Sequence, residues 1–226
     1  MKSFLQFLSE REVVRSSPEK QSDFQSKLVT QEKPGYSRLG RGAFGTVINK
    51  NKDDSTYKIY RSDQHDVAAN FHRHAMTDHN PHLPKIEKMV TVKHYDGQHT
   101  VISKMEKLHP LHSLSNDELK SAWGHSFGPT TKKVTPQLIS NRIKSHLKFH
   151  SGEGKHPGSA SANMENALHD VATIASNGNG KIDMKPENVM ARKTKYGHHL
   201  VINDPVWGGE PDSHSSHEYS SGESFS

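Results

Sequence analysis

Hydrophobic and polar positions change period several times along this chain, and each change marks an element. Residues 46–49 and 56–60 are short runs rich in β-branched and aromatic side chains, separated by a polar stretch at 50–55, which predicts two strands joined by a turn. Ahead of them, Phe4, Leu5, Phe7, Leu8, Val13 and Val14 give way to polar residues at 16–20, predicting a short amphipathic helix and then a linker. Over 64–77 the apolar residues Val67, Ala68, Phe71 and Ala75 fall at helical spacing. A second strand pair is predicted at 84–92 and 99–105, around the turn Tyr95-Asp96-Gly97.

Helical periods follow. Asn116 is placed to cap a helix through Trp123, and Thr135 to cap one over 136–149 with Pro136 at its first position. After a Gly/Ser loop at 151–162, Asn163 can cap a helix over 164–176. Met164, Ala167, Leu168, Val171, Ile174 and Ala175 make one stripe of it, which reads as core. A last hairpin is predicted from 188–192 and 199–203 around Lys195-Tyr196-Gly197. Strands first, helices later and a closing hairpin predict an α+β chain.

Composition narrows the partners. Hydrophobic residues make up 31% of the 226, and the mean hydropathy is −0.87, so the core is modest. A formal charge of +5 favours anionic partners such as nucleotides, acidic proteins or nucleic acid. No basic patch interleaved with aromatics supports nucleic acid. Without cysteine there is neither a disulfide nor a thiolate zinc site. The Phe4–Leu8 run is too short for a signal-peptide core and no stretch reaches bilayer-spanning length, so a soluble intracellular chain with no membrane partner is expected. The 18 histidines include His72-Arg73-His74 and His198-His199. Neither cluster has the spacing of a known metal site, and solvated surface histidines are expected. The Gly/Ser/His/Glu-rich end reads as a disordered tail.

Candidate chemistry lies at four places. Gly40-Arg41-Gly42-Ala43-Phe44-Gly45-Thr46-Val47 fits G-x-G-x-x-G-x-V throughout. A strand follows it, where a dinucleotide-binding turn would need a helix. The run resembles the hairpin of a protein kinase, which implies that Gly40, Gly42 and Gly45 let backbone N–H groups approach the ATP phosphates, with Phe44 shielding them at the tip and Val47 completing the nucleotide-binding set. Strand, turn, strand resembles the arrangement of a protein kinase, which implies that Lys58, on the next strand, holds the α and β phosphates. In the run from Lys181 to Met190, Asp183 can orient an acceptor hydroxyl and Lys185 can offset charge on a moving phosphoryl group. Asn188, five positions after the aspartate, can hold a metal ion. Asp204, at the end of the last predicted strand, is the second metal candidate. A calcium-loop reading of 177–183 fails: with Gly180 sixth, Ala175 would be first and Pro186 twelfth, and neither is a carboxylate.

In this order the motifs resemble a protein kinase, most closely in the D-x-K-P-E-N-V run that begins at Asp183. Departures are plain. Lys181 and Ile182 stand where histidine and arginine usually precede the aspartate, and Asp204-Pro205-Val206 stands for D-F-G. The helix over 64–77 has no glutamate to pair with Lys58, leaving only Asp63 or Asp66 as shorter substitutes. Twenty-two residues follow Asp204, and no A-P-E motif is among them. The chain thus resembles, over residues 36–207, the reduced early serine/threonine protein kinases of lytic bacteriophages. That resemblance implies a two-lobe protein-kinase-like fold: an extension at 1–30, a β-rich N-lobe at 31–107, a hinge at 105–108, a truncated, mainly helical C-lobe at 108–207 and a tail at 208–226. It also implies transfer of the γ-phosphoryl of ATP to protein hydroxyls, on host proteins in the cytoplasm of an infected cell, with Mg²⁺ or Mn²⁺. A small-molecule phosphotransferase and a pseudokinase that binds partners without catalysis remain open.

Overall fold

The computed structural model describes residues 12–30, 36–42, 45–50, 55–60 and 67–208. The N-terminal part holds β1 (Glu12–Ser17), β2 (Tyr36–Gly42), β3 (Gly45–Lys50), β4 (Ser55–Tyr60), β5 (Ile86–His94) and β6 (His99–Glu106), with α1 (Gln21–Thr30) and α2 (Val67–Thr77) between them, and β3 to β6 lie where the strand runs predict them. These strands form one six-stranded sheet in the order β1-β5-β6-β4-β3-β2. All neighbours are antiparallel except β1 and β5.

Central strand β4 is buried at every position, so its two faces pack against different layers. Tyr57 and Ile59 point to one side with Ile48 and Ile102, where Phe24 and Leu28 of α1 cover them. Tyr60 points to the other side, among Met89, Val101 and the α2 residues Ala68 and Phe71. Each fully buried side chain of this kind stabilises the fold by about 1.5–3 kcal/mol.

The linker expected after Val14 is not there. Val13 and Val14 pair with Val90 and Thr91 at the sheet edge. Helix α1 is tied down from distant sequence: Asp96 accepts the Gln21 N–H at 3.1 Å, and the Gln25 amide donates to Thr100 Oγ1 at 3.1 Å. The expected apolar helix further upstream lies in residues 1–11, outside the described residues.

The remaining chain forms β7 (His109–Pro110), α3 (Asn116–Phe127), α4 (Pro136–His150), α5 (Ala162–Asn177), β8 (Gly180–Ile182), β9 (Val189–Thr194), β10 (Gly197–Ile202) and β11 (Val206–Gly208). Thr135 caps α4 as expected. Two other caps differ. Ser115 begins α3 through a reciprocal capping box with Glu118, and Ser161 caps α5 by accepting from the Met164 N–H. In both, a serine hydroxyl upstream of the expected asparagine reaches an orphan N–H first. Strands β10, β9 and β7 make a three-stranded sheet, and β11 pairs with β8. One continuous core runs from the α2 face of the large sheet through α3, α4 and α5 to β9 and β10. The molecule is α+β, mainly sheet in its N-terminal region with helices later. No helix among the described residues is long and apolar enough to cross a membrane.

The surface-histidine expectation holds for rings such as His79, His112 and His169 and fails for others. His72 and His146 are 0% exposed, His82 1% and His198 6%. Neutral imidazoles can be interior residues when a ring nitrogen finds a partner. His82 Nδ1 lies 2.8 Å from the Leu200 carbonyl, for example.

Candidate functional site

A cavity of about 690 Å³ opens between the large sheet and the segments 186–190 and 203–204. Leu39 and Val47 line it from β2 and β3, Thr56 and Lys58 from β4, and Met105 and Leu108 from the end of β6 and just beyond. Val189 and Met190 lie across from them, with Asn188, Asn203 and Asp204 at the polar end. Apolar side chains make up much of its wall, with Glu106 and Lys107 beyond the end of β6 and Glu187 beside Asn188 also lining it.

Lys58 is the buried charge. Its side chain is 7% exposed, and its ammonium lies 2.7 Å from Asp204 Oδ1. A buried ammonium needs such a counter-charge. Two residues along the same face of β4, the Tyr60 ring supports it from 4.8 Å. The Tyr60 hydroxyl in turn meets His72 Nδ1 of α2 at 2.7 Å. Burial first, then the Lys58 charge, hold the His72 pKa well below the ordinary histidine value, against an opposing backbone contact with Asn203. Through the Tyr60 hydroxyl, His72 joins α2 to β4.

Backbone hydrogen bonds stitch the Asp183 segment to Asp204. The Asn188 carbonyl accepts the Asn203 N–H at 2.9 Å and the Asp204 N–H at 3.4 Å, while the Asp183 N–H donates to the Pro205 carbonyl at 2.9 Å. Within the segment, Asn188 Nδ2 donates to the Asp183 carbonyl at 2.5 Å. That use of its nitrogen leaves the amide oxygen as the group to offer a cation. Lys185 Nζ lies 2.9 Å from Asp183 Oδ2. This hydrogen bond, with the carboxylate charge behind it, raises the Lys185 pKa above the ordinary lysine value.

Of the glycine run, Gly40 pairs with Val47 and Gly42 with Gly45, so β2 and β3 form the expected hairpin. Phe44 at its tip lies outside the described residues, as do Asp63 and Asp66, the offered substitutes for a helix glutamate. Tyr60 and His72 are the neighbours of Lys58 that sequence reasoning missed. The signals were there: Tyr60 is two residues from Lys58 on one strand face, and His72 completes the stripe of Ala68 and Ala75. Also missed is Arg192, which donates to Glu106, to the Pro81 carbonyl at 2.5 Å and to the Leu83 carbonyl at 2.8 Å. Glu106 accepts the Lys85 N–H as well, at 2.8 Å, and so fixes the bend where β6 leaves the sheet beside the cavity.

No family model matches the sequence, and no curated protein matches it either.

Proposed function

We propose that this chain is an ATP-dependent serine/threonine protein kinase of reduced, two-lobe form, with the six-stranded sheet as its β-rich lobe. The observation that supports this best is the meeting of Lys58, Asp204 and Asn188 in one cavity that also has apolar walls. Apolar walls from Leu39, Val47, Met105 and Met190 suit a flat heteroaromatic base, and the polar end suits its phosphates. Lys58 binds phosphate oxygens, turning from Asp204 to do so, with the Tyr60 ring holding its approach. Backbone N–H groups of Gly40, Gly42 and Gly45 cover the phosphates.

The donor set fits a hard divalent cation: a carboxylate oxygen from Asp204, 39% exposed, and the Asn188 amide oxygen are ligands that Mg²⁺ or Mn²⁺ accepts. Bound by these two residues, the ion supplies positive charge against the phosphate oxygens. Asp183 orients the acceptor hydroxyl and takes its proton, and Lys185 offsets charge on the group in transit.

One observation favours a second reading. Lys58 and Asp204 neutralise each other, and residues 67–77 hold no carboxylate that would draw Lys58 away. On that reading the chain binds nucleotide without transferring phosphate. Calorimetric titration with Mg²⁺-ATP, alongside Lys58→Met and Asp204→Asn, tests what both share. Binding that weakens at least tenfold in each variant is expected; absence of binding in the parent protein would remove both readings.

A further inference from the structure

We propose that His74, Asp78 and Asp170 form a binding site for a divalent transition-metal ion, with zinc as the best fit, at the junction of α2 and α5. One ligand atom from each residue lies within 4.8 Å of the other two. His74 Nε2 is 3.1 Å from Asp170 Oδ2 and 3.4 Å from Asp78 Oδ2. Ligands held at zinc bond lengths in a tetrahedron stand about 3.3 Å apart. The three atoms are thus already near coordinating separation.

Connectivity strengthens the case. His74 and Asp78 are four residues apart along α2 and its end, which alone would be an ordinary ion pair. The third ligand comes from α5, so the set bridges two helices. Asp78 is also oriented: its other oxygen, Oδ1, accepts the Asn80 N–H at 2.8 Å, the kind of outer hydrogen bond that aims a ligating carboxylate. All three side chains are half-buried, between 26% and 34% exposed. An ion can enter, and a position stays open to water.

Charge balance points the same way. One imidazole can offset at most one of the two carboxylate charges. Among the described residues, the ion pairs of Asp78 and Asp170 both run to His74 alone. The negative charge that remains is one a divalent cation would satisfy. Zinc takes such mixed nitrogen and oxygen sets, whereas Mg²⁺ and Ca²⁺ prefer oxygen alone. The site is separate from Lys58 and Asp204, so it stands or falls independently of the proposed kinase activity. Its occupancy would pin α2, which carries His72, to α5.

The test uses full-length protein stripped with a chelator, titrated with zinc by calorimetry and with cobalt by visible absorption. His74→Ala, Asp78→Asn and Asp170→Asn are compared with His150→Gln, which lies outside the cluster. The expected result is a rise in melting temperature of roughly 5–10 °C at a hundredfold excess over Kd. Each cluster variant should lose one equivalent of metal and that rise, while His150→Gln keeps both. Should His74→Ala fail to fold, the two Asn variants and the parent's cobalt spectrum carry the test. No spectral or thermal response up to millimolar metal, or a response unchanged in every cluster variant, would overturn the site.

Discussion

The Tyr60 hydroxyl meets His72 Nδ1 at 2.7 Å, on the ring whose face lies 4.8 Å from the Lys58 ammonium. A helix with no carboxylate over residues 67–77 thus reaches Lys58 through a neutral pair. Tyr60→Phe keeps the ring under Lys58 and leaves a buried imidazole nitrogen without its partner. We expect a loss of about 1–3 kcal/mol in urea unfolding, with nucleotide binding retained because the support of Lys58 remains.

Lys58 and Asp204 should be energetically coupled. Removing one partner of a fully buried ion pair costs about 3–5 kcal/mol; Asp204 is 39% exposed, so Asp204→Asn should cost less. Lys58→Met removes the charge that the variant strands. The double variant should therefore recover part of the stability lost in Asp204→Asn while staying inactive, a non-additivity readable from denaturant midpoints.

Acid should unfold the protein through its interior histidines. The pKa of His82 is pushed down to about 4, chiefly by burial, and those of His72, His146 and His199 are lowered by the same cause first. In the unfolded chain these rings titrate near about 6.5. Their contribution is fully present above that pH and is lost as pH falls towards the folded values, because the unfolded state then binds more protons. His82 alone accounts for on the order of 3 kcal/mol between about pH 6.5 and pH 4. Melting temperatures taken from pH 7.5 to 4.5 should fall steeply below 6.5, and His82→Gln should flatten that slope.

Gly180 is a point of close approach between α2 and the strand that leads into Asp183. A Cβ there would lie 2.8 Å from Val67 Cγ1 and 3.2 Å from the Trp207 carbonyl oxygen. Val67 is β-branched and held in the core, so it yields little. Gly180→Ala should cost about 1–3 kcal/mol, and Val67→Ala in the same chain should return part of it. Thermal denaturation of the two variants checks this.

How much was legible follows from the range of each interaction. The strands β3 to β6, α4 with its Thr135 cap and the last hairpin rest on local alternation and capping, and the sequence pattern marks them. Strand β1 and helix α1 are held by Thr91, Asp96 and Thr100, which are far away along the chain, so a polar stretch looked like a linker. His72 was hidden because histidine counts as polar in a periodicity, although it occupies the buried stripe beside Phe71. Order along the chain named Lys58 and Asp204 separately. Their contact, and the tie through Asn188 that makes it, needed the fold.

The account is tested most directly by incubating the protein with γ-labelled ATP, Mg²⁺ or Mn²⁺ and a protein acceptor, beside Asp183→Asn and Lys58→Met. Label on the acceptor from the parent protein, reduced at least a hundredfold in both variants, is the predicted result. Nucleotide binding with no transfer under either metal, or transfer undiminished in Asp183→Asn, would contradict it.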